Sequence, residues 1–271
     1  MTSTSTPDPA DIPVVILCGG QGTRIREASE KLPKPLIDIG GRPVVWHIMK
    51  LYGAHGFRKF VLCLGYKAWD IKEYFLRYEE NVNDFTLHLG TGKGPQFHSQ
   101  ETLDEWDVSL VDTGMESGTG ERLRRVAHLL DQDYFMVSYG DGVGGVNLSG
   151  ELAHLASRPE LMGLVTGVHP TSRYGELGCT GDLVTNFAEK LPSDGWVSAG
   201  FFAFRREFLD MLPTDEPEHF FEQGPVQELS RSEGLGLWEH DGFWMGMDTF
   251  REYSALNKMW AAGEADWKIW D

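Results

Sequence analysis

The run Val14-Val15-Ile16-Leu17-Cys18-Gly19-Gly20-Gln21-Gly22-Thr23-Arg24 constrains this chain more than any other stretch. An apolar, β-branched segment that breaks into three glycines within four residues reads as a buried strand emptying into a loop of bare main chain. At the carboxyl end of such a strand, unshielded N–H groups make a seat for phosphate. Arg24 adds fixed positive charge there, as does Lys34, whose backbone the following Pro35 biases to an extended form. A nucleoside triphosphate suits such a seat.

Two other glycine-loop chemistries fit poorly. A dinucleotide fingerprint needs G-x-G-x-x-G, whereas Gly20-Gln21-Gly22-Thr23-Arg24 runs on to Ile25 and lacks the third glycine. Asp38 stands at a distance suited to a ribose contact in a nicotinamide-dependent enzyme, but the missing glycine argues against that reading. A P-loop ends in Gly-Lys-Ser/Thr, which neither this segment nor Gly92-Lys93-Gly94 supplies.

At 271 residues the chain is long enough for one large α/β unit. The expected organisation is a disordered tail over residues 1–11 followed by a single catalytic domain over residues 12–271. No apolar run is long enough to cross a bilayer, and the first residues carry no basic, apolar-cored leader. Cys18, Cys63 and Cys179 are widely separated, as expected of reduced thiols in a cytoplasmic protein. A net charge of −17 disfavours nonspecific nucleic-acid binding. An acidic chain that handles phosphates must gather cations locally, so a few basic side chains and a bound metal should carry the site.

Apolar strand-like runs alternate with helical patterns, which predicts a Rossmann-like, mostly parallel sheet covered by helices on both faces. Strands are expected at Ile12–Cys18, Phe60–Leu64, Val108–Val111, Phe135–Tyr139, Leu161–Val168, Leu183–Phe187, Val197–Phe204 and Leu235–Glu239. Helices are expected from Pro43, over Asp70–Tyr78 and Thr119–Leu130, and near 206–212, 223–233 and 249–262. Residues 84–111 read as a β-hairpin excursion, long enough to be covered by a neighbouring subunit, and a smaller portion, sugar-binding on the family resemblance described below, is expected towards the C-terminus.

Any reaction that sets a phosphate oxyanion against a phosphorus of a bound triphosphate brings two anions together. Cations placed in advance do most of the work of such a reaction. Asp141, between Gly140 and Gly142 after an apolar strand, and Asp248 in Gly246-Met247-Asp248-Thr249 are candidate carboxylates for Mg²⁺. The alternative readings are a turn aspartate at 141 and a helix N-cap at 248. Cys18 and His47 read as packing residues, because direct in-line attack needs no covalent intermediate. The aromatic residues Trp46, Phe201, Phe202 and Phe243 read as core, and Trp244 as core with some prospect of ligand contact.

In order along the chain, G-G-x-G-T-R with a later Lys34-Pro35, then Trp46-His47-Ile48-Met49-Lys50, Gly65-Tyr66-Lys67, Val111-Asp112-Thr113-Gly114, Tyr139-Gly140-Asp141-Gly142-Val143, Gly200-Phe201-Phe202 and Met247-Asp248-Thr249 form a series. It resembles the sugar-1-phosphate nucleotidylyltransferases, and among them the group that joins CTP to glucose 1-phosphate. The resemblance extends from Ile12 to the C-terminus. It implies that Leu17, Gly19, Gly20, Gly22, Thr23, Arg24 and Gly140 border the nucleotide, that Arg24 and Lys34 serve its phosphates, and that Asp141 and Asp248 hold Mg²⁺. It further implies that Glu189 and Lys190, with Ser198 and Gly200, meet the sugar phosphate. Ser117, Thr119 and Arg122 match a segment that helps recognise the nucleotide. Taken alone, Thr119 also reads as a helix cap and Arg122 as a solvated helix cation. The resemblance implies a homo-oligomer as well.

Two departures bear on the acceptor. Leu191 separates Glu189-Lys190 from Pro192, where the family commonly has Glu-Lys-Pro, and Ser198 stands where the family has an asparagine ahead of Gly-Gly-Phe-Phe. A serine offers one donor in place of two, so another sugar 1-phosphate or a phosphonate is an alternative acceptor, and UTP or dTTP an alternative donor. A catalytically silent nucleotide-binding subunit fits less well, since the charged residues are all retained.

Overall fold

The computed structural model describes residues 6–20, 32–90, 92–98, 105–169, 176–180, 183–188 and 195–270, excepting the side chains of 176–180 and 183–188. Among these residues, seven strands form one sheet in the order Leu235–His240, Gly163–Val168, Val197–Arg205, Tyr134–Tyr139, Pro13–Leu17, Lys59–Leu64 and Asp107–Asp112. Val197–Arg205 is antiparallel to both its neighbours, and every other pairing is parallel. The expected mostly parallel α/β sheet is therefore present.

Near-continuous apolar runs are needed in these strands because both sheet faces are covered. Alternate residues divide between two cores, as strand geometry requires. Val14, Ile16, Phe60, Leu62, Met136 and Phe201 face one core. Val15, Val61, Cys63, Phe135, Val137 and Phe202 face the other. The first core is closed by helices Val44–Ala54, Ala68–Leu76, Leu148–Ser157 and Phe250–Ala262, which contribute Ile48, Ile71, Leu152 and Leu256. The second is closed by Thr119–Val126 and Pro225–Arg231 through Leu123 and Leu229.

Several boundaries differ from the sequence reading. The helix expected over Thr119–Leu130 ends at Val126 and tightens into a 3-10 turn over Ala127–Leu129, and the one expected near 206–212 is a 3-10 helix over Arg206–Met211. Leu148–Ser157 was not anticipated as a helix, nor Glu176–Thr180 as a strand pairing with Leu183–Ala188. The excursion is a hairpin, with Phe85–Thr86 antiparallel to Gln96–Phe97 and the Phe85 and Phe97 rings 5.7 Å apart edge to face. At the N-terminus, Pro9–Asp11 forms a 3-10 turn whose N-cap Asp8 accepts from the Ala10 N–H.

His47 and Cys18 are core residues. His47 is fully buried, its Nε2 bonded to the Ile39 carbonyl at 2.8 Å, while its Nδ1 accepts from Trp267 Nε1 at 3.3 Å. Burial pushes its pKa down to about 4, so a neutral imidazole joins the C-terminal segment to helix Val44–Ala54.

Glu151 is the conspicuous exception among buried groups. It is fully buried on helix Leu148–Ser157 and neither carboxylate oxygen has a hydrogen-bond partner, the nearby buried Tyr52 and Thr166 hydroxyls being equally unpaired. Burial pushes its pKa up to about 8, with Tyr52 the titratable group that interacts with it. The folded state therefore holds a proton that the unfolded chain releases at the ordinary carboxylate pKa. That contribution to stability is intact at low pH and is lost as pH rises from about 4.5 to about 8. In urea titrations across this range, the stability difference between wild type and Glu151→Gln should change by about 1.4 kcal/mol per pH unit. Parallel pH profiles for the two proteins would show that Glu151 is not held protonated.

Candidate active site at the sheet switch point

Chain order fixes where a ligand can sit. From Pro13–Leu17 the sheet grows first towards Lys59–Leu64 and Asp107–Asp112, and the chain then returns to place Tyr134–Tyr139 on the other side. A crevice opens beyond the carboxyl ends of two parallel strands whose connections diverge in this way. Leu17 pairs with Tyr139, so Gly19 and Gly20 leave the sheet beside Gly140 and Asp141. Gly20 is exposed, whereas Gly19 and Gly140 are buried in the crevice wall.

Two carboxylates and one ammonium meet there. Immediately after Asp141, Gly142–Gly144 pairs antiparallel with Trp244–Gly246, and the Met247 N–H donates to the Asp141 carbonyl at 2.8 Å. This short ladder, absent from the sequence reading, places Asp248 next to Asp141 although 107 positions separate them along the chain. Asp248 is not the helix N-cap. Thr249 caps Phe250–Ala262 in a capping box with Glu252, and Glu252 Oε2 also accepts from the Asp248 N–H at 2.7 Å. Lys34 enters on a 3-10 turn over Lys34–Leu36 whose Pro35 and Leu36 are buried. Its Nζ lies 2.5 Å from Asp141 Oδ2 and 2.8 Å from Asp248 Oδ1, with the lysine side chain 11% exposed and each carboxylate 35%. Burial alone would lower the Lys34 pKa. The Asp141 charge and hydrogen bonds to both aspartates reverse that and hold it above the usual lysine range.

On the opposite side of Gly19, Arg122 performs a structural task. Only 4% exposed, it donates through Nη1 to Leu64 O, Thr113 Oγ1 and Gly114 O at 2.8–3.0 Å, and through Nη2 to Gly19 O and Met115 O at 3.2 and 3.3 Å. A Cβ at Gly19 would collide with this guanidinium, which is why a glycine stands there. The solvated-cation reading of Arg122 is thereby corrected: the side chain is buried because the main-chain carbonyls of three strand ends need a common donor. The capping reading of Thr119 is corrected too. Gly118 is the N-cap, and the Thr119 hydroxyl donates to Glu222 Oε2 at 2.5 Å. Ser117 Oγ donates to Thr113 O at 2.5 Å.

Towards the antiparallel strand, exposed Ser198 accepts from the Gly200 N–H at 3.2 Å, and Trp244 Nε1 donates to Ala199 O at 2.9 Å. Trp244 thus links the carboxylate ladder to the segment holding Ser198 and Gly200. Gly200 has φ +79°, and a Cβ there would run into the Tyr139 ring. The structure brings Leu17, Gly19, Gly20, Lys34, Ser117, Thr119, Arg122, Gly140, Asp141, Ser198, Gly200 and Asp248 to this end of the sheet. Gly22, Thr23, Arg24, Glu189 and Lys190 lie outside the described residues. Glu222 was missed, since its partners Tyr139 and Thr119 are remote in sequence. The Thr249-x-x-Glu252 capping box was readable and would have moved the helix start one residue past Asp248.

A mostly parallel sheet with a charged crevice at its switch point defines an α/β protein built to bind a ligand there. The chain belongs to the nucleotidyl transferase family, whose model matches residues 13–259. It is 38% identical to the glucose-1-phosphate cytidylyltransferase of Salmonella typhimurium, over 95% of this chain and 99% of that protein. A probable glucose-1-phosphate cytidylyltransferase of Bacillus subtilis is 39% identical over 94% of this chain and 99% of its own length. The fold is shared with HddC from Yersinia pseudotuberculosis complexed with GMP-PN, at TM-score 0.65 and 20% identity over 92% of this chain and 99% of that one. It is shared also with a UDP-glucose pyrophosphorylase complexed with UDP-glucose, at TM-score 0.65 and 12% identity over 93% of this chain and 99% of that one.

Since Arg122 satisfies carbonyls that would otherwise be buried unpaired, Arg122→Ala should lower unfolding free energy by about 2–4 kcal/mol in urea titrations. Arg122→Lys should recover less than half of that loss, because an ammonium cannot span the same acceptors. A change below about 0.5 kcal/mol for Arg122→Ala would contradict this role.

Proposed function

We propose that this chain joins CTP and glucose 1-phosphate into CDP-glucose and diphosphate. The carrying observation is the convergence of Lys34, Asp141 and Asp248 on one point of the crevice. The full-length relatedness to glucose-1-phosphate cytidylyltransferases supports the choice of substrates. In the reaction, an oxygen of the sugar phosphate bonds to the α-phosphorus of CTP, the bond from that phosphorus to the bridging oxygen breaks, and diphosphate leaves with the electron pair. Gly19, Gly20, Gly22, Thr23 and Arg24 receive the nucleotide, bordered by Leu17, Gly140, Ser117, Thr119 and Arg122. Lys34 neutralises its phosphates, and Glu189, Lys190, Ser198 and Gly200 orient the sugar phosphate.

Mg²⁺ fits the residues present. Two hard carboxylate oxygens converge on a single cationic centre. Magnesium commonly takes one or two carboxylates and fills its shell with water and substrate phosphate, which Asp141 and Asp248 would permit. Bound there, it would supply charge to the phosphates. The buried Cys18 and Cys63 thiols accord with a cytoplasmic setting.

Purified protein given CTP, Mg²⁺ and a panel of sugar 1-phosphates should release diphosphate with glucose 1-phosphate. The panel tests Ser198 directly, since another hexose 1-phosphate outrunning glucose 1-phosphate would reassign the acceptor. EDTA should stop turnover, and Asp141→Asn should lower kcat by about a hundredfold or more. Absence of diphosphate release with every acceptor would overturn the proposal.

A homo-oligomer is proposed on the same chain's exposed apolar residues. Trp69 and Leu76 on one helix, and Leu87 and Leu89 on the hairpin, are 64%, 71%, 53% and 87% exposed. These exposed apolar side chains, divided between the helix Ala68–Leu76 and the hairpin later in the chain, suit an association surface, and a second copy is the occupant proposed. Light scattering should report a multiple of the chain mass, and Leu76→Asp with Leu89→Asp should reduce it. A monomer at micromolar concentration would contradict this.

A further inference from the structure

The carboxylate of Glu222 is used by nothing above, yet it is doubly bonded at the rim of the crevice. Its Oε1 accepts from the Tyr139 hydroxyl at 2.6 Å and its Oε2 from the Thr119 hydroxyl at 2.5 Å. The loop that carries it is pinned to the same helix start: Gly118 N donates to Pro217 O at 3.0 Å and Gly120 N to His219 O at 3.1 Å. A carboxylate only accepts. The hydroxyl hydrogen of Thr119 is therefore committed, and all that Thr119 can offer a ligand is oxygen lone pairs.

The side of the crevice on which Thr119 lies gives this polarity a use. Lys34, Asp141 and Asp248 gather on the Tyr134–Tyr139 side of the first strand. Arg122 ties Gly19 to Gly114 and Met115 on the Lys59–Leu64 side. On the nucleotidyl-transfer reading, with the phosphates at Lys34, the base would extend past Gly19 towards the segment 114–119 that Arg122 ties to it. Cytosine presents a 4-amino donor where uracil and thymine present a carbonyl acceptor. An acceptor-only Thr119 complements the first and repels the second.

We propose that Glu222 is a specificity-determining residue: by holding the Thr119 hydroxyl as an acceptor, it selects a pyrimidine bearing a 4-amino group. This rests on the nucleotidyl-transfer reading above and assigns the base preference to a named pair. Tyr139, held by the other oxygen, keeps the carboxylate oriented, so Glu222 acts on the base through Thr119.

The test compares kcat/KM for CTP and UTP in wild type, Glu222→Gln, Thr119→Val and Thr119→Ser, with calorimetric binding of both nucleotides to each folded protein. The wild type should prefer CTP. Glu222→Gln, whose amide can donate, and Thr119→Val should each reduce the CTP-to-UTP ratio by about tenfold or more, while Thr119→Ser keeps it. Equal losses for both nucleotides, leaving the ratio within about twofold of wild type, would reduce Glu222 to a structural tie and overturn the proposal. So would a wild type indifferent to the base. If Glu222→Gln does not fold, the Thr119→Val and Thr119→Ser pair decides. If wild type turns over neither nucleotide, the nucleotidyl-transfer reading fails, and the binding ratios still decide the role of Glu222.

Discussion

One ammonium held between two carboxylates is the constraint around which this end of the molecule is built. Lys34 reaches Asp141 and Asp248 from a proline-flanked turn, and neither aspartate is near it in sequence. Three charges at this spacing settle only if the backbone beneath them is fixed, because exposed ion pairs by themselves contribute little. Here the backbone is fixed by the Gly142–Gly144 and Trp244–Gly246 ladder, by the Met247 to Asp141 hydrogen bond and by Glu252 gripping the Asp248 N–H. The carboxylates are partly open to solvent, which is what the proposed function needs if a phosphate or metal is to exchange with the lysine without unmaking the core.

Arg122 provides the matching rigidity across the first strand. It draws Gly19, Leu64, Gly114 and Met115 onto one guanidinium, so the glycine loop leaves the sheet in a set direction. Catalysis by preorganised charge depends on such fixed surroundings, since a displacement of an ångström costs much of the advantage. The Tyr139 to Glu222 to Thr119 tie joins the two sides, running from the strand that delivers Asp141 to the helix that carries Arg122.

The fold was legible where burial writes a period into the sequence. Val14 to Leu17, Phe60 to Leu64 and Phe135 to Tyr139 alternate between two cores, and their apolar runs show it. Helix Leu148–Ser157 was not legible because the charged Glu151 stands on the same buried face as Leu148, Leu152 and Leu155. The three-residue ladder beside Asp141 is too short and too rich in glycine to carry a strand signal. For the site, Lys34, Asp141 and Asp248 could be nominated from the glycine loop and family motifs, but their meeting depends on that unseen ladder. Taken alone, Arg122 reads as a solvated helix cation, because no local pattern reveals that a helical arginine will face carbonyls from three distant strand ends. Glu222 is an ordinary loop carboxylate in sequence and acquires a partner only through tertiary folding.

The central claim is that Lys34, Asp141 and Asp248 form the phosphate-transfer centre. A crystal structure with a non-hydrolysable CTP analogue and Mn²⁺, with the metal located by anomalous scattering, tests it most directly. The account predicts a metal peak bound by Asp141 and Asp248 and the Lys34 ammonium turned onto the phosphates. Nucleotide and metal bound elsewhere, with Lys34 still bridging the two aspartates, would contradict it.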